Sequence, residues 1–241
     1  MADLRNIQAT PAPASARTEA AIDEGLRAYM IRVYNLMALG LAITGVAAFA
    51  TAQMAVSSGQ LIFASPLRWM VMLAPLGFVF FLSARIQKMT VSAAQTTFWA
   101  FAAVMGLSLA SIFLVYTGES IVRVFFITAA SFGALSLWGY STKRDLSGMG
   151  SFLFMGLIGL ILAMIVNIFL ASSALQFAIS AIGVLIFAGL TAYDTQQIKE
   201  MYWEGDDTLV AGRKAIMGAL RLYLDFINLF MFLLQFLGNR E

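Results

Sequence analysis

Apolar residues in this chain fall in long runs that single charges punctuate. Between Arg32 and Arg68 lie 35 uncharged residues, and the next gaps (Arg68–Arg85, Lys88–Glu119, Arg123–Lys143) hold 16, 30 and 19. A helix needs about 20 mostly apolar residues to cross about 30 Å of hydrocarbon. The first four gaps therefore predict one crossing each, near 33–54, 69–84, 94–116 and 124–142. The second is short and carries Pro75, whose missing N–H predicts a kink. From Asp145 to Asp194 the gap is 48 residues, about 72 Å as helix. That length predicts two crossings, turned back on each other at Ala171-Ser172-Ser173-Ala174. A last span starts near Leu222 and ends near Leu237, interrupted only by Asp225. The pattern is that of an all-α integral membrane protein with seven transmembrane helices.

Composition agrees with the pattern. Hydrophobic residues make up 61% of the 241 residues and charged ones 12%, against about 45–50% and about 25% in soluble domains. So few charges cannot cover so much apolar surface in water. Charge placement adds orientation. A cytoplasmic N-terminus puts twelve of the fifteen basic residues on the inside and leaves Arg68, Arg123 and Arg240 outside, as the positive-inside bias requires. Residues 1–25, rich in Ala, Pro, Ser and Thr, read as a disordered cytoplasmic tail, and 26–241 as the seven-helix domain.

Absent residue types narrow the chemistry. With no Cys and no His, the chain has no thiolate nucleophile, imidazole base or Cys/His metal site. Its four lysines lie in polar stretches, so none offers a mid-membrane amine. A net charge of +2 does not point to nucleic acid. No exact GxxxG occurs, and the scattered glycines read as places of close helix approach.

Two acids fall within apolar surroundings, Asp194 and Asp225. A carboxylate at depth costs at least ~2.5–3.5 kcal/mol on insertion scales and usually faces the bundle interior. Asp194 lies five residues before Lys199 and Asp225 four after Arg221, or roughly 7.5 and 6 Å along a helix. If the two helices run antiparallel through a cytoplasmic loop at 203–214, the acids sit at one level. Two carboxylates sharing a low-dielectric site do not both ionise cheaply, so the pair holds one proton jointly. Protonated, it clasps two helices; doubly ionised, it repels or recruits a cation. Asp194 and Asp225 are thus the candidate pH sensor and gate. They are also candidate Ca²⁺ ligands, with Thr195, Gln196, Gln197 and Asn228 as neighbouring oxygens of the hard type calcium prefers. Local alternatives stay open: Asp194 pairing with Lys199, or either acid reaching the interface. Arg85, ending the second span, is a candidate latch for the pair. Glu119, Asp206-Asp207 and Asp145 read as solvated loop acids.

The same residues carry a resemblance. Tyr193-Asp194-Thr195-Gln196, within 187–198, and Leu222-Tyr223-Leu224-Asp225-Phe226-Ile227-Asn228-Leu229-Phe230 resemble two signature motifs of the bacterial branch of the Bax inhibitor-1/YccA family, over about residues 20–240. The resemblance implies a bundle whose last helix is central, in the bacterial inner membrane. It also implies paired aspartates, here Asp194 and Asp225, that sense pH and gate a calcium leak, with Arg85 as the matching second-span latch. It implies no resident cofactor, calcium being cargo, and no enzymatic activity. Membrane AAA proteases are partners of some family members, which makes a non-conducting regulator the rival expectation. One departure is plain: the family's pore also uses an acid in the second span, and 69–84 has none. An aspartyl intramembrane protease would need a GxGD setting that Tyr223-Leu224-Asp225-Phe226 lacks.

Overall fold

The computed structural model describes residues 14–57 and 67–239. Helices α1 (Ala14–Ser57), α2 (Leu67–Arg85), α3 (Val91–Leu109), α4 (Gly118–Ser141), α5 (Ser147–Leu170), α6 (Ser173–Glu200) and α7 (Thr208–Leu237) follow in order, with 3₁₀ turns at Ile86–Lys88 and Ala110–Leu114. Seven helical stretches are long and apolar enough to cross a membrane, and no strand occurs among the described residues. The spans read from charge gaps therefore correspond one to one with helices.

Local sequence sets the helix ends. Thr90, Thr117, Ser172 and Asp207 each accept a hydrogen bond from a backbone N–H in the first turn of α3, α4, α6 and α7. Such caps satisfy donors that a helix leaves free. The α5–α6 hairpin turns where expected. Ala171 takes a left-handed conformation with φ 48°, and Asn167 Oδ1 accepts from the Ser172 N–H at 3.0 Å.

Two boundaries differ from the sequence reading. The last helix begins at Thr208, not near Leu222, so the expected loop at 203–214 shrinks to 201–207. Asp207 caps it there, and Arg213, Lys214 and Arg221 interrupt its apolar run without interrupting its helix. Its 30 residues reach about 45 Å. The expected tail at 1–25 lies outside the described residues for 1–13, while 14–25 already belong to α1, in keeping with an Ala-rich stretch of good helix formers. Pro75 lies inside α2, which continues to Arg85. Most of the loop expected at 57–60 lies outside the described residues.

Helix α7 is the most buried, packing against α1, α3, α4 and α6. Its Tyr223 is fully buried between the rings of Phe98 and Phe101, and its hydroxyl meets Thr44 Oγ1 at 2.6 Å. Helix α4 closes on α6 where Gly139 lies against the Ala192 carbonyl, too near for any side chain at 139.

Candidate functional site

Helices α6 and α7 are antiparallel neighbours joined by the short turn at 201–207, so residues near the end of one meet residues midway along the other. On α7, Tyr223 points towards α1 and α3; two residues on, about 200° around the helix, Asp225 points the other way, towards α6. There it meets Asp194, and the two carboxyl groups are within hydrogen-bonding contact. Asp225 is 5% exposed and Asp194 half-buried. The second oxygen of Asp225, Oδ2, is buried with no hydrogen-bond partner among the described residues. A buried carboxylate oxygen without a donor is costly, a cost that a proton shared with Asp194 offsets.

One cation addresses both acids. Arg221 lies one turn before Asp225 on α7 and attracts Asp194 and Asp225 alike. It also lines two cavities. One, of about 940 Å³, lies between α5, α6 and α7 and is lined by Tyr193, Asp194, Asp225 and Asn228 among apolar residues that include Phe154, Leu157 and Phe187. The other, of about 470 Å³, opens between the α2 end and the start of α7, lined by Gln87, Arg213 and Lys214. Arg221 therefore stands between the acid pair and the surface carrying the basic residues. Gly150 makes room for the site on α5: a Cβ there would lie 2.5 Å from the Tyr193 ring.

The structure brings together only part of the expected constellation. Asp194, Asp225 and Asn228 share the larger cavity, and Asn228 commits its amide nitrogen to the Leu224 carbonyl at 2.8 Å. Thr195 points elsewhere. It donates to the Thr191 carbonyl at 2.7 Å and meets Ser136 Oγ at 2.8 Å, which in turn meets Tyr34. Gln196 clamps the α4–α5 turn, donating to the Arg144 carbonyl at 2.8 Å and accepting from the Leu146 N–H at 2.9 Å. Gln197 donates to Glu200 at 3.1 Å. Successive helix residues point about 100° apart, so three consecutive side chains after Asp194 cannot all serve one site. Arg85 lies at the end of α2 and lines neither cavity, whereas Arg221 lines both; both arginines are exposed. Lys199 donates to the Tyr140 carbonyl at 2.9 Å and lies over that ring, so it is tied to α4. Arg221 was legible after all, because an Arg–x₃–Asp spacing puts both side chains on one helix face.

Two carboxylates and an amide oxygen are hard donors of the kind a cation such as calcium takes; among the described residues no group of three or more His, Cys, Asp or Glu gathers. Outside the spans, Asp145 Oδ1 accepts from the Ser147 N–H at 2.8 Å, and the Ser147 hydrogen bonds hold its carboxyl below the usual carboxylate range.

Residues 26–241 match the profile of the family described as "Inhibitor of apoptosis-promoting Bax1". The chain belongs to this family. It is 51% identical over 219 residues to the protein designated RP147 of Rickettsia prowazekii, covering 91% of this chain and 92% of that one. It is 48% identical over 220 residues to the inner membrane protein YbhL of Escherichia coli K12, covering 90% and 94%. A membrane protein of Streptococcus pyogenes, SpyM3_0260, is 35% identical over 91% of this chain and 96% of its own length. The seven spans and this kinship make the chain a multi-pass inner-membrane protein.

Proposed function

We propose that the protein is a pH-sensitive cation leak of the inner membrane, passing Ca²⁺, with Asp194 and Asp225 as its gate. In this reading α7 is the central helix, the N-terminus is cytoplasmic, and Arg221 is the latch. The observation that carries it is the facing of two intramembrane carboxyls beside a cavity, with one guanidinium between them and the basic surface. When the pair shares a proton, the carboxyls hold α6 to α7 directly. Loss of that proton leaves two negative charges against one arginine, and the uncompensated charge either separates the helices or draws in a cation. Acid therefore closes the gate and alkali opens it.

Liposomes loaded with a calcium-sensitive dye and carrying the purified protein test this reading. Calcium entry is expected to exceed that of protein-free vesicles and to rise with pH, and Asp194→Asn with Asp225→Asn is expected to abolish the pH response. A leak equally fast and equally pH-dependent in the double variant contradicts it.

A further inference from the structure

Helix α1 packs chiefly on α3 and α7, and α4 on α6 and α7, which leaves a seam between α1 and α4 that the Tyr34–Ser136 hydrogen bond crosses. Two cavities lie along it, of about 660 and 270 Å³, and Phe226 of α7 floors both. On α1 the seam runs from Arg27 to Ala48, about 32 Å of helix, from the charged residues Arg27 and Arg32 into the apolar span that follows them. Its walls are apolar along nearly the whole length. The space is open, since a Cβ added at Gly45 or Gly133 would meet nothing within 4 Å.

Among the residues lining the two cavities, charge sits at one end only, at Arg27. Arg27 lines that mouth and makes no ion pair among the described residues. Tyr140 lines it too, and Lys199 lies 5.1 Å from the centre of its ring. A long apolar slot with cations at the level of one leaflet is complementary to an amphiphile with an anionic head. At about 30 Å³ per water-sized group, the larger cavity holds a chain of roughly twenty such groups.

We propose that the α1–α4 seam binds one acyl chain of an anionic phospholipid, with its phosphate at Arg27. The lipid fills the space between α1 and α4 in front of Phe226, which the Phe125 and Phe132 rings already pack against. Binding by this seam does not depend on ion conduction.

Native mass spectrometry of the full chain, delipidated and then offered phosphatidylglycerol or phosphatidylcholine, tests the assignment. The expected result is one retained phosphatidylglycerol per chain, with phosphatidylcholine retained at least about fivefold less. Arg27→Gln is expected to erase the headgroup preference. Gly133→Leu, which has space to fold, is expected to fill the slot and cut retention of both lipids. Equal retention of the two lipids by the unaltered chain, retention unchanged in either variant, or a second protein chain in place of lipid would overturn the proposal.

Discussion

Helices α5 and α7 show opposite relations between sequence and burial. Helix α5 is the most apolar of the seven, and 11% of its membrane-length window is buried; α7 is among the least apolar, and 72% of its window is buried. In water the order would be reversed. Lipid solvates Phe152, Phe154, Ile168 and Phe169 of α5, all largely exposed, at no cost, whereas Tyr223 and Asp225 of α7 need protein partners for their polar atoms. In this protein an apolar stretch identifies lipid contact, and polar atoms within a span identify the interior.

Close approach of the inner helices is the sharpest test of the contrast. Gly139→Leu puts side-chain atoms where the Ala192 backbone already lies, and backbone cannot move aside as a side chain can. The expected loss is about 3 kcal/mol or more, read from unfolding in mixed micelles. Gly159→Ala on α5 meets nothing within 4 Å and is expected to change stability by less than about 0.5 kcal/mol. Equal losses at the two glycines would erase the distinction.

Tyr223→Phe keeps the ring between Phe98 and Phe101 and removes one hydrogen bond to Thr44. Thr44 retains the Ala102 and Gly40 carbonyls as partners, so the expected cost is about 0.6–1 kcal/mol. On α5, Phe169→Leu exchanges one lipid-facing apolar group for another and should fall within about 0.5 kcal/mol. A larger effect at Phe169 than at Tyr223 in the same assay would place α5, not α7, at the centre of stability.

The smallest effect belongs to the loop that leads into α5. Asp145 is held below the usual carboxylate range by its hydrogen bonds to Ser147. Its stabilising contribution is therefore present above about pH 4, the unfolded carboxylate value, and is lost as pH falls through the lower folded value. Asp145→Asn should flatten the acid limb of a thermal-stability profile slightly and leave the neutral region unchanged.

Much of this architecture could be read in advance because the bilayer imposes it. Charge gaps located seven spans, and Ala171–Ala174 located the tight hairpin. What escaped was local helix chemistry within charged stretches. The run of Arg213, Lys214 and Arg221 hid the first fourteen residues of α7, although Asp207 was a legible cap. Asp194, Asp225 and Asn228 line one cavity. Thr195, Gln196 and Gln197 were grouped with them by adjacency in sequence, where helical spacing sends each to a different neighbour. Arg221 carries two signals at once, a topological charge and the i−4 neighbour of Asp225, and only the second places it beside the acids.

A double-mutant cycle of calcium flux against pH bears most directly on the paired gate. Purified wild type, Asp194→Asn, Asp225→Asn and the double variant are compared in dye-loaded liposomes. If the two carboxyls act as one unit, each single replacement removes most of the pH dependence and the double removes little more. Single variants that each keep a wild-type pH profile, or effects that simply add, would contradict it.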